Sequence, residues 1–350
     1  MTRRRRLLLR VGLAVLLGPV LLLGLGEAWV RLRHPAYADQ WRALASHPRW
    51  ARTLRPGAAG RLRALDGGYD TRFAINAQGL REAREVGPKD PGRPRVVCVG
   101  DSNTFGLGVD DDEPWVRHLG PAFDAVNAGW ASGYAPDCAC LWLEEVGLGL
   151  EPDLVLQQLT PANDLEDLAA RSAWETDATG RLVAVRHAWD RRVPPAIQAL
   201  AFPRYLARQV WPALRGGEGG VPASGAGELR PVDQQGLQRL GPILARERSS
   251  LEGRGVRLAV LVIPCHSREL PLDDATRALL QAQREAVVRC VTEAGLTLLD
   301  PEGSPEWTGA ARPVFHTDGH LTASGNRALG AWVRRWLETS LPTGSRSRTR

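Results

Sequence analysis

Four short stretches, each following an apolar run, carry side chains that together suit attack on a carbonyl centre. Gly100-Asp101-Ser102-Asn103 follows the run RVVCVG and offers a hydroxyl nucleophile. Asn127-Ala128-Gly129-Trp130-Ala131-Ser132-Gly133-Tyr134 offers glycine N–H groups, and Thr160-Pro161-Ala162-Asn163-Asp164 a side-chain amide. Thr317-Asp318-Gly319-His320-Leu321 offers an imidazole with a carboxylate two residues before it. Acyl transfer needs a nucleophile, oxyanion donors, a general base and an acid that orients the base. A serine behind a strand is a weak signal alone, because such turns mostly use it structurally. The ordered series of four is the informative feature. A phosphate cradle fits poorly, since neither the G-x-x-x-x-G-K-[ST] nor the G-x-G-x-x-G spacing is present.

Other polar residues compete for these roles. His316 precedes the acid rather than the last helix, His118 falls on a pattern that reads as an exposed helix, and His266 falls in a loop after an apolar run. Asp101 and Asp164 flank the candidate positions and read as residues that cap turns. The run Asp110-Asp111-Asp112-Glu113 reads as a solvated, helix-initiating loop rather than a cation site. The odd set Cys98, Cys138, Cys140, Cys265 and Cys290 contains no C-x-x-C pair. Cys138 and Cys140 lack neighbouring ligands at metal spacing, so the thiols read as small buried hydrophobes and no metal is expected.

The elements that must position these groups follow from hydrophobic patterning. Apolar runs at 95–100, 125–128, 153–159, 257–263 and 296–299 alternate with helical patterns at 137–148, 233–252, 273–294 and 322–338. Continuous rather than alternating apolar strands, separated by helices, predict a parallel five-stranded sheet covered on both faces. Ligands of such sheets bind beyond the carboxyl ends of the strands, where the four stretches lie. Residues 31–94, punctuated by prolines, read as a connector with a small β element that includes YDTRFAINAQGLRE and a turn at 77–79. Residues 169–230 read as an insertion ending in a Gly-rich loop. Its aromatics Trp174, Trp189, Phe202, Tyr205 and Trp211 are expected to pack it onto the core.

The ordered blocks resemble the SGNH (GDSL-type) hydrolase family over about 95–338, and the INAQGLRE and NAGWASGY stretches resemble membrane-attached bacterial members. The resemblance implies a three-layer α/β/α sandwich with a flavodoxin-like sheet and a domain over 95–340. It implies Ser102 as nucleophile and first oxyanion N–H donor, and Gly133 as second donor, with Gly129 the fallback. It further implies the Asn163 side chain as third donor, His320 as base, and no cofactor. Two departures stand out. Pro161 replaces the glycine of the usual Gly-x-Asn-Asp block, and Thr317 occupies the acid's place in the usual Asp-x-x-His, leaving Asp318 in an Asp-x-His spacing. Asp318 is the candidate acid; if it points elsewhere the site is a Ser–His dyad.

Location is written in the arginines. Arg3, Arg4, Arg5, Arg6 and Arg10 precede the uncharged stretch 11–26, and Arg346, Arg348 and Arg350 lie in a tail, 341–350, that reads as disordered. Removing those charges from the net +6 leaves the body at about −2, with no electrostatic footprint for nucleic acid. Residues 1–30 are long and apolar enough for an uncleaved transmembrane signal anchor. A cleaved signal peptide fits less well, because the apolar run ends in GLGEAWVRL, a poor context for cleavage. The positive-inside rule puts the N-terminus in the cytoplasm and the bulk outside. The expected function is extracytoplasmic hydrolysis of acyl esters on polysaccharide, lipid or small molecules. The alternatives are an O-acetyltransferase of envelope or secreted polysaccharide and a non-catalytic assembly protein on the same fold.

Overall fold

The computed structural model describes residues 3–35, 43–64, 67–130, 134–187, 200–206, 210, 227–263, 270–308 and 314–341. Gly133, Trp189, Trp211, His266 and Cys265 lie outside these, as do residues 342–350 of the tail. Helix α1, Arg3–Arg33, contains a 24-residue apolar segment, Arg10–Arg33, whose most apolar 18-residue stretch has a mean hydropathy of 2.0. That length and apolarity suffice to cross a bilayer, which a membrane anchor and a signal sequence both satisfy.

Two antiparallel hairpins precede the sheet: β1 (Leu44–His47) with β2 (Ala51–Leu54), and β3 (Ala59–Arg63) with β4 (Asp70–Ala74). The turn expected after them closes at Asn76–Gly79, where Asn76 Oδ1 accepts the Gln78 and Leu80 N–H groups and Gly79 takes φ +78°.

Strand β5 (Arg95–Gly100) then leads through the single turn α2 (Ser102–Phe105) and a 3₁₀ segment, Trp115–Leu119, to β6 (Asp124–Gly129). Helix α3 (Pro136–Glu145), β7 (Leu154–Leu159) and α4 (Pro161–Glu166) follow. The helix expected over 137–148 stops at Glu145 and tightens into a 3₁₀ turn, Gly147–Leu150. Gly147 seats the Trp142 ring, 2.8 Å from where a Cβ would stand.

The hairpin β8 (Ser172–Thr176) and β9 (Leu182–His187) and the short α5 (Ala201–Tyr205) belong to the stretch read as an insertion. The remaining elements are α6 (Pro231–Glu252), β10 (Arg257–Val262), α7 (Asp274–Glu293), β11 (Thr297–Leu299), α8 (Pro305–Thr308) and α9 (Ala323–Ser340).

All pairs of the five-stranded sheet are parallel, in the order β11-β10-β7-β5-β6. Counted from β5 as first, this is the 2-1-3-4-5 order of flavodoxin-like folds, and the winding reverses between β5 and β7. One sheet face, with Val97, Val99, Val126 and Val155, packs on α3 and the hairpin residues Leu54, Leu62 and Phe73. The other, with Val96, Cys98, Leu154 and Leu156, packs on Trp115, Leu119 and on Leu329, Val333 and Leu337 of α9. The parallel α/β sandwich expected from the sequence is therefore present. Burial of both faces explains why its strands read as largely apolar runs without polar alternation, Asn127, Gln157 and Gln158 being buried polar exceptions.

Three local expectations are corrected. His118 lies in the 3₁₀ segment rather than an exposed helix, and its Cβ packs where Gly330 leaves no room for a side chain. The acidic run is not simply solvated: Asp110 accepts the Arg72 N–H at 2.7 Å and Asp111 the Ala74 N–H at 3.1 Å, which ties the loop to strand β4. Of the insertion aromatics, Trp174 does pack on the core and donates to Asp137 at 2.7 Å. Phe202 and Tyr205 instead pack on the end of α1, beside Val30, Trp29 and His34.

Candidate active site

Ser102 opens α2 directly behind the buried strand β5, at the point where the sheet order reverses. The turn can be this tight because Gly100 and Gly129 leave no space for side chains. A Cβ on Gly100 would strike Gln158 and Thr104, and one on Gly129 would strike the backbone of Thr104 and Phe105. Asp101 caps the turn by accepting the Asn103 N–H at 2.9 Å. Its other oxygen accepts from the Asn163 amide at 3.0 Å, so one carboxylate joins the first and third blocks. Capping was the role expected for Asp101; the link to Asn163 was not.

At the far end of the same turn lies Arg81, 1% exposed. Its guanidinium donates to the carbonyls of Phe105 (3.0 Å), Gly106 (2.5 Å), Val109 (2.8 Å) and Arg72 (3.0 Å), and to Asp111 (3.1 Å). It also stacks over the Phe105 ring, 4.5 Å from its centroid. A buried cation thus adds donors to carbonyls at the end of the turn and ties them to strand β4. Arg81 is a residue that sequence reasoning missed.

His320 approaches from the opposite side of the crevice. Its Nε2 is 2.8 Å from Ser102 Oγ. Its Nδ1 is 3.0 Å from Asp318 Oδ2, with 21% of the imidazole and 36% of the carboxylate side chain exposed. This close approach falls short of hydrogen-bond geometry at Nδ1. The Asp318 side chain also accepts the His320 backbone N–H at 3.1 Å through Oδ1. Burial works to raise the Asp318 carboxyl, but the His320 contacts and the nearby His316 outweigh it and hold it down at about 2. Of these contacts the backbone bond is the secure one in geometry; the ring contact is close enough to tighten when the imidazole becomes charged.

The structure thus brings Ser102, His320 and Asp318 into one line and sets Asn163 beside it through Asp101. The Ser102 N–H has no hydrogen-bond partner among the described residues. Gly129, the fallback for the second donor, has its N–H occupied by Asn127 Oδ1 at 3.0 Å, a pairing that removes it from that role. Gly133 lies outside the described residues. Asp164 accepts the Thr160 N–H at 2.6 Å; burial and repulsion from Asp101 push its carboxyl well above the usual range. His316, a competitor in the sequence, contacts the Gly108 carbonyl at 3.2 Å and the Tyr69 ring. Among the described residues, no group of three or more His, Cys, Asp or Glu is arranged to hold a metal ion.

No protein-family model and no curated protein matches the chain. Solved structures do. A lipolytic protein of the G-D-S-L family from Veillonella parvula is 13% identical at a TM-score of 0.41, covering 71% of this chain and 99% of that one. The lipase/acylhydrolase from Enterococcus faecalis is 12% identical at 0.40, covering 72% and 99%. A carbohydrate esterase family 2 enzyme with a carbohydrate-binding domain, from Corynascus thermopiles, is 13% identical at 0.40, covering 73% and 69%. At such identities and scores the likeness carries no argument about chemistry, which rests on the residues around Ser102.

Proposed function

We propose that the chain is a serine ester hydrolase held at a membrane by α1. His320 takes the Ser102 proton at Nε2 as Oγ attacks an ester carbonyl, and Asp318 stabilises the imidazolium through Nδ1. The oxyanion meets the Ser102 N–H and the Asn163 amide, with the Gly133 N–H as the donor assigned from sequence. Each such donor contributes about 3–4 kcal/mol to the transition state. His320 then protonates the leaving alcohol, and water, activated the same way, releases the acid from the acyl-enzyme. The mechanism calls on no cofactor. The five arginines before the apolar span favour a cytoplasmic N-terminus and an extracytoplasmic site.

The observation that carries this reading is the 2.8 Å contact between Ser102 Oγ and His320 Nε2 at the switch point of the sheet. The test uses the full chain in detergent with p-nitrophenyl acetate and longer esters, with and without an oligosaccharide acceptor. Turnover by the wild type and its loss in a folded Ser102→Ala variant are expected. Full turnover by that variant would remove the reading. Acyl transfer that appears only with the oligosaccharide would make the same residues those of an O-acetyltransferase.

A further inference from the structure

Tyr69 lies in the hairpin before the sheet, just ahead of β4, 249 residues from Asp318 in sequence. Its hydroxyl donates to Asp318 Oδ2 at 3.2 Å, the same oxygen that stands 3.0 Å from His320 Nδ1. The ring is held in place from two sides. It meets the His316 ring at 5.1 Å and 58°, and the chain passes it at Gly108, where a Cβ would stand 3.1 Å from both rings. Gly108 has φ +89°, a second reason the position takes glycine. At the hairpin end the Ala64 N–H donates to the Tyr69 carbonyl at 3.0 Å, which fixes the backbone from which the phenol projects.

Resting on the esterase reading above, we propose that Tyr69 is a positioning residue for Asp318, and through it for His320. Asp318 sits in a short loop where its Oδ1 is occupied by the His320 backbone N–H. The orientation of the carboxylate plane, and so the aim of Oδ2 at the imidazole, then depends on what else binds Oδ2. The phenol supplies that second donor. It also draws charge from the oxygen, which moderates the pull of the carboxylate on the imidazole. Among the described residues the titratable groups facing Asp318 are His320, His316 and Tyr69. Ser102 faces the other side of the His320 ring.

The consequence is a change in pH dependence that a packing role does not produce. Tyr69→Phe keeps the ring against His316 and removes only the donor. The freed carboxylate oxygen is more basic, so the imidazole beside it holds its proton more tightly. The acid limb of the kcat/KM profile should move up by about half a pH unit. With a less well aimed carboxylate, kcat should fall on the order of tenfold, with KM unchanged.

The experiment compares the full-length wild type, Tyr69→Phe and Tyr69→Leu in detergent, by pH–rate profiles on p-nitrophenyl acetate and by NMR titration of the His320 ring signal. The expected result is an upward move of both the acid limb and the ring titration in Tyr69→Phe. A Tyr69→Phe protein that matches the wild type in both readouts, with loss only in Tyr69→Leu, would make the ring a packing group and overturn the proposal. A rise in KM alone would assign Tyr69 to substrate contact and overturn it equally. If the wild type shows no ester turnover while the ring titration still moves, the positioning contact stands and the esterase reading falls.

Discussion

An acid two residues before its histidine, rather than three, changes which way the carboxylate reaches the ring. In Asp318 the short spacing lets one oxygen take the His320 backbone N–H while the other faces Nδ1. An ionised carboxylate there fixes the tautomer that presents Nε2 to Ser102 and offsets the imidazolium charge. Held at about 2, below the usual carboxylate range, Asp318 stays ionised wherever the base is neutral; only as pH falls towards that value is its contribution lost. Asp318→Asn is therefore expected to lower kcat by about 10³–10⁴-fold. Thr317→Val, at an exposed position without charge, should stay within about a factor of three. Steady-state kinetics on the two folded variants decide the matter. An Asp318→Asn protein that keeps most of its activity would leave a Ser102–His320 dyad. The blocks that hold Ser102, His320 and Asp318 could be singled out in the sequence, the first directly behind a strand and the last just before the final helix, and the fold sets their side chains side by side. Tyr69 was not, since no motif ties a hairpin tyrosine to a loop 249 residues away.

At the scale of elements, the five strands and four long helices of the sandwich were legible to within a few residues, because burial on both faces leaves continuous apolar runs. The segment before the sheet was legible as a connector with a small β element and a turn at 77–79, but the contacts it makes with the sandwich were not. Arg81 sits in a polar stretch that reads as surface, and only the folded path of β4 and the Asn76–Gly79 turn carries it under α2. The acidic run was misread for the same reason: its partners are backbone N–H groups of β4, which composition does not reveal. Helix α1 was legible from apolarity and length, yet these suit an anchor and a cleaved signal alike. The two separate by experiment. With five arginines before the span and only Arg31 and Arg33 close behind it, a reporter fused after residue 60 should be active outside the cytoplasm. The fusion should also stay with the membrane fraction at the mass of the uncleaved chain. Activity confined to the cytoplasm would reverse the orientation, and a shortened, released product would make α1 a signal sequence.

At the scale of the whole molecule, the most exacting feature is a carboxyl with nothing to bind. Glu247 of α6 is 1% exposed, and neither of its oxygens has a hydrogen-bond partner among the described residues. Burial, reinforced by Glu144 and Asp137 and only partly opposed by Arg246, pushes its pKa well above the usual carboxylate range. Arg246 is engaged elsewhere, paired with Glu144 at 2.6 Å, so it does not neutralise Glu247 directly. A folded value raised above the unfolded one means that the native state binds the proton more tightly. The stability tied to this group is therefore complete below the unfolded value near 4.5. It is lost as pH rises from there through the folded value. Glu247→Gln has nearly the same shape, carries no charge and removes that dependence. The variant should melt close to the wild type at pH 4 and above it at pH 8. Every tenfold by which folding tightens the hold of Glu247 on its proton is worth about 1.4 kcal/mol of that difference. A gain of about 1 kcal/mol raises Tm by about 2–4 °C in a domain of roughly 150–250 residues. Thermal melts of both proteins across pH 4–9 in the same detergent test this. A Tm difference that stays constant over the range would mean that Glu247 is not the neutral, buried acid its surroundings require.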